Sequence, residues 1–151
     1  MIRPYTGFDK YSTGALPGLK ALRDVILFLN GGKITHLGSW TIRSMNGKPG
    51  IPSVHGTGRA VDLGYTYRKD IEGTITWLIN NADALGVEFV ADYYPTPYGR
   101  GWRCDRGAWK VYSTPTIKGA PGGKWIHLEI SPAMANDKTA MDAAITKTFC
   151  P

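Results

Sequence analysis

The segment Ser53-Val54-His55-Gly56-Thr57-Gly58-Arg59-Ala60-Val61-Asp62 sets an imidazole and a carboxylate on either side of a glycine-rich turn. Both groups are ordinary zinc donors, and a catalytic zinc site needs three protein donors with a fourth position left open. The best source of the third is Trp125-Ile126-His127-Leu128-Glu129-Ile130-Ser131. That run is β-branched and aromatic, and strand alternation puts His127 and Glu129 on one face. A His–Asp pair alone reads more simply as a structural hydrogen bond; the late His-x-Glu strand turns the set into a candidate hydrolytic metal centre. The third histidine, His36, follows Lys33-Ile34-Thr35 and is expected in a connecting loop with no chemical role.

Ser53, His55, Gly58, Ala60 and Asp62 together resemble the Ser-x-His-x-x-Gly-x-Ala-x-Asp signature of the zinc D-alanyl-D-alanine carboxypeptidases and L-alanyl-D-glutamate endopeptidases. These enzymes cut bacterial cell-wall peptides, and hedgehog signalling proteins share part of their zinc architecture. The likeness runs from about Leu16 to Ser131. It implies His55, Asp62 and His127 as ligands of Zn2+. It also implies that Arg43, in Trp40-Thr41-Ile42-Arg43-Ser44, holds a substrate carboxylate or a developing oxyanion. One departure stands out: three residues before the last ligand, where many members carry an acidic general base, this chain has Lys124. The likeness admits two registers. In one, His127 is the ligand and Glu129 the base that takes a proton from water; in the other, Glu129 is the ligand and His127 the acid/base group. The first is expected, because a carboxylate within reach of metal-bound water can take its proton.

Residues 1–15 are rich in Tyr, Gly, Ser and Thr and are expected to form an extended arm. Residues 16–151 are expected to form a single domain. Leu19, Leu22, Val25, Ile26 and Leu29 recur at helical spacing after Pro17, and the spacing of Ile71, Ile75, Leu78, Ile79, Ala82 and Leu85 predicts a second helix over 70–85. Strands are expected at 39–44, from Ala60 to Tyr65, from Val87 to Tyr93, at 109–112 and around His127, with a last helical stretch over 132–149. The resulting fold class is α+β: a small, mostly antiparallel sheet with flanking helices and long loops over the site. The Pro-, Gly- and aromatic-rich loop from Tyr94 to Gly123 offers Trp102 and Trp109 as walls of a substrate groove, and Ser53 reads as a turn-forming residue beside it.

The chain has 151 residues and a formal net charge of +6, from 18 Lys and Arg against 12 Asp and Glu. That balance favours residence near polyanions such as acidic wall polymers. Nucleic-acid binding would account for the charge but not for the histidines and carboxylates, so nucleic acid is not an expected partner. Cys104 and Cys150 are too far apart in sequence for a close-spaced metal pair; one disulfide and two reduced thiols both remain open. The opening residues show no signal-peptide pattern, and no apolar run suits a membrane span.

The resemblance implies zinc-dependent hydrolysis of peptidoglycan stem peptides. By the same resemblance the protein would act at the bacterial cell wall, released by lysis or carried on a phage virion, with phage tail or lysis proteins as partners. The competing expectation, prompted by Lys124, is a catalytically weak, zinc-stabilised wall-binding or structural module of a phage tail.

Overall fold

The computed structural model describes residues 2–149. It is α+β, with a six-stranded antiparallel sheet, a two-stranded ribbon and five helices. The strands are β1 (Ile34–Gly38), β2 (Ser44–Met45), β3 (Lys48–Pro52), β4 (Ala60–Tyr65), β5 (Val87–Asp92), β6 (Arg100–Arg103), β7 (Ala108–Val111) and β8 (Trp125–Ile130). The main sheet runs in the order β1-β4-β8-β5-β6-β7, and β2 pairs only with β3. The helices are α1 (Pro17–Leu29), α2 (Arg68–Asn80), α3 (Ala82–Leu85), α4 (Pro132–Asn136) and α5 (Lys138–Phe149).

The apolar stripes of the helices and one face of the sheet make the core. Leu19, Leu22 and Ile26 of α1, Ile71, Ile75 and Leu78 of α2, and Met141 and Ile145 of α5 are buried with Val61, Leu63, Val90, Ile126, Leu128 and Ile130 of the strands. Pro17 takes the first-turn position at which a missing N–H costs nothing. Alternation along β8 then decides the placement of the chemistry. With Ile126, Leu128 and Ile130 committed to the helix side, His127 and Glu129 must point to the other face.

Several boundaries differ from expectation for local reasons. The first strand of the main sheet is Ile34–Gly38, so His36 lies in a strand; residues 40–43 form an irregular segment leading into the β2–β3 ribbon, in place of the strand expected over 39–44. Asn81 ends α2 and Asp137 separates α4 from α5, so each expected long helix is broken. Asn81 turns its amide back onto the Trp77 carbonyl at 2.9 Å, and Asp137 adopts an extended conformation. Gly101-Trp102-Arg103 falls in β6, inside the segment expected to be loop. Cys150 lies outside the described residues. Cys104 is buried, with its thiol directed at the Pro4 carbonyl. Among the described residues no helix is long and apolar enough to cross a membrane.

Candidate metal centre

Three elements carry the donors. Ser53 caps a 3-10 turn, Val54–Thr57, by accepting from the Gly56 N–H, and Gly58 closes the turn at φ 73°. A left-handed residue there suits glycine, and it reverses the chain from the buried His55 into β4. Asp62 and His127 are direct partners in the β4–β8 ladder, so sheet register alone puts the carboxylate beside the imidazole.

The three side chains converge. His55 Nε2 lies 3.1 Å from His127 Nδ1 and 3.2 Å from Asp62 Oδ2, and His127 Nδ1 lies 2.9 Å from Asp62 Oδ1. A tetrahedral zinc ion bound at ~2.0–2.1 Å needs donors about 3.3 Å apart, so these edges are on the required scale. His55, Asp62 and His127 form a group that can hold a metal ion. Two neutral nitrogens and one carboxylate suit a borderline divalent cation such as zinc. The group opens on a hollow of about 240 Å³ lined by Leu37, Gly38, Trp40, Thr41, Arg43, His55 and Asp62.

Electrostatics bind the cluster together. Burial would raise the Asp62 carboxyl, yet hydrogen bonds from His127 and His55, and the charge they carry, hold it well below the usual carboxylate range. Burial alone would likewise depress His127, but hydrogen bonds to Asp62 and Glu129 push it up to about 9. Without a metal, the site therefore keeps a proton on His127 at neutral pH.

Glu129 stands on the other edge of the imidazole. Its Oε1 is 2.9 Å from His127 Nε2, and its Oε2 accepts a 2.7 Å hydrogen bond from the Tyr5 hydroxyl. Both oxygens are engaged, and Glu129 is outside the His55–Asp62–His127 group and does not line the hollow. Glu129, expected as the base, is thus hydrogen-bonded through both oxygens behind the His127 ring and away from the hollow. Lys124 is exposed at the start of β8, its carbonyl extending the ladder to the Tyr65 N–H.

Arg43 reaches the site from the irregular segment after β1, its Nε 3.4 Å from Ser53 Oγ. Trp102 and Trp109 do not reach it. They pair across β6 and β7 in the row that contains Val90 and Leu128, which is the helix side of the sheet. Trp102 is buried in the core and Trp109 packs against it beneath the Arg100 guanidinium. The expected groove walls are thus on the opposite face.

The aromatics on the metal side are others. Trp40 lines the hollow, and Trp125, in the same strand and phase as His127, stacks on Tyr93 with ring centroids 3.5 Å apart. The Tyr93 phenol is raised by burial first and then by the Asp62 and Glu129 charges. Period-2 phase along β8 carried enough information to find Trp125; nothing in the sequence marked Trp40 or Tyr93. No protein-family model, no curated protein and no solved structure matches this chain.

Proposed function

We propose that the protein is a zinc-dependent hydrolase of peptidoglycan stem peptides, acting at the bacterial cell wall either from a phage particle or after release by lysis. The observation that carries this reading is the convergence of His55 Nε2, His127 Nδ1 and the Asp62 carboxylate at the edge of an open hollow that also holds Arg43. The sequence likeness to cell-wall zinc peptidases supplies the substrate class. When bound, the ion contributes Lewis acidity, making water more acidic and a carbonyl more electrophilic.

The chain's own residues account for the rest. His55, Asp62 and His127 hold the ion. Glu129 accepts the Nε2–H of His127, so the proton that a bound ion would displace is the one Nδ1 shares with Asp62, a carboxylate–histidine arrangement found around metal ligands. Arg43 offers a planar fork of donors to a substrate carboxylate or oxyanion. Trp40 gives the peptide an apolar wall.

Among the described residues Asp62 is the only carboxylate that lines the hollow, and it is committed to the histidines. A dedicated general base contributes ~10²–10⁴-fold to rate, so turnover is expected to be slow. The same observation favours a second reading, a zinc-stabilised wall-binding module of a phage tail. The deciding experiment incubates zinc-loaded protein with purified muropeptides and follows products by mass, with His55→Ala as control. Hydrolysis predicts metal-dependent release of peptide fragments that His55→Ala abolishes. Retention on cell walls with no cleavage at any zinc level would instead leave the binding module.

A further inference from the structure

We infer that the N-terminal segment is a working part of the metal centre, with Tyr5 as a positioning residue that fixes the His127 imidazole through Glu129; this rests on the metal-centre reading above. A chain of short hydrogen bonds runs from the segment to the donor group: Tyr5 hydroxyl to Glu129 Oε2 at 2.7 Å, Glu129 Oε1 to His127 Nε2 at 2.9 Å, and His127 Nδ1 to Asp62 Oδ1 at 2.9 Å. The phenol donates to the carboxylate, and so does Nε2–H. With Nε2–H held by Glu129, the Nδ1 proton shared with Asp62 is the one a cation would displace, and Nδ1 is the nitrogen presented to it. Burial and the Glu129 charge both keep the phenol protonated.

The segment is held on both sides of Tyr5. Before it, the Arg3 N–H donates to the Cys104 carbonyl at 3.2 Å, and the Arg3 guanidinium donates to the carbonyls of Ala82 and Val87. After it, the buried Arg59 guanidinium donates to the Gly7 carbonyl. Gly7 turns at φ 65°, and a Cβ there would come within 3.0 Å of the Tyr5 ring. The Arg103 guanidinium lies 4.7 Å from the centre of that ring. Glu129 is buried, so loss of the Tyr5 hydroxyl leaves one carboxylate oxygen without its donor and frees the group to rotate away from His127.

The test compares wild type, Tyr5→Phe, Glu129→Gln and the double variant after chelation. Zinc affinity is measured by competition with a chelator, and the visible spectrum is recorded with cobalt(II). Tyr5→Phe is expected to weaken zinc ~10–100-fold, as outer-sphere substitutions do, to alter the cobalt spectrum, and to lower the metal-free melting temperature by the few degrees that one lost hydrogen bond to a buried carboxylate costs. In the double variant the loss should match that of Glu129→Gln alone, because Tyr5 acts through that carboxylate. Wild-type affinity and spectrum in Tyr5→Phe, losses that multiply in the double variant, or a Tyr5→Phe protein that does not fold would each overturn the inference while leaving the metal centre standing. A wild type that binds neither ion would remove the metal centre itself.

Discussion

Asp62 and His127 share a proton economy that a bound cation would replace, and this gives the metal-free protein a characteristic pH profile. His127 is pushed up to about 9 in the folded chain, against about 6.5 when unfolded. Its protonated form is therefore favoured by folding, and that contribution is complete below about pH 6.5 and is lost as pH rises through about 9. Asp62 runs the other way: its carboxyl is lowered, so its contribution is present above about pH 3.9 and falls away below it. Chelated protein should be most stable between about pH 4 and 6.5 and weaker at pH 9.5 by of order 1–3 kcal/mol. Zinc requires deprotonated donors, so the loaded protein should lose that alkaline decline. Urea midpoints at pH 6 and 9.5, with chelator and with zinc, measure both. A chelated midpoint that rises with pH would contradict the His127–Asp62–Glu129 geometry.

At the scale of the elements, the site depends on one tight turn. Gly58 sits at φ 73°, and a Cβ there would lie 2.4 Å from the Gly14 carbonyl oxygen and 2.6 Å from Ser12 Oγ. Gly58→Ala adds left-handed strain of ~1–2 kcal/mol to that clash, so a loss of at least about 2 kcal/mol is expected, seen as a lower urea midpoint. Because His55 lies three residues before Gly58, zinc affinity should fall with it. Such features were legible in part. Period-2 alternation in Trp125–Ile130 and Ala60–Tyr65 placed His127, Glu129 and Asp62 correctly on strands, because alternation is a local property of the chain. The partnership Asp62↔His127 is a matter of register between segments 65 residues apart, which no local pattern encodes. The same gap explains Trp102 and Trp109: their strand phase relative to His127 follows from pairing through β5 and β6. The irregular segment after Ser39 escaped for another reason. Trp-Thr-Ile has the composition of a strand, yet β1 forms one segment earlier, opposite β4.

Across the molecule, one residue joins the N-terminal segment to the neighbouring strands β8 and β5. Arg59 is 1% exposed, between Gly58 and β4, and its guanidinium reaches the Ile130 carbonyl at the end of β8 (2.6 Å), the Gly7 carbonyl and Glu88 Oε2 of β5 (3.4 Å). Glu88 is equally buried. A pair removed from water in this way contributes little net energy, but removing one partner leaves a buried charge without its counterion, at ~3–5 kcal/mol. Arg59→Met should therefore cost several kcal/mol and also loosen the segment that carries Tyr5. Arg59→Met with Glu88→Leu removes both charges and should recover much of the stability. It still lacks the donors to Gly7 and Ile130. The two consequences then separate: urea unfolding of the double variant should return toward wild type, while zinc affinity should remain reduced because the Gly7 anchor of the segment is gone. Full recovery of both would mean that the segment reaches Glu129 without help from Arg59, and that the arginine serves only to neutralise Glu88.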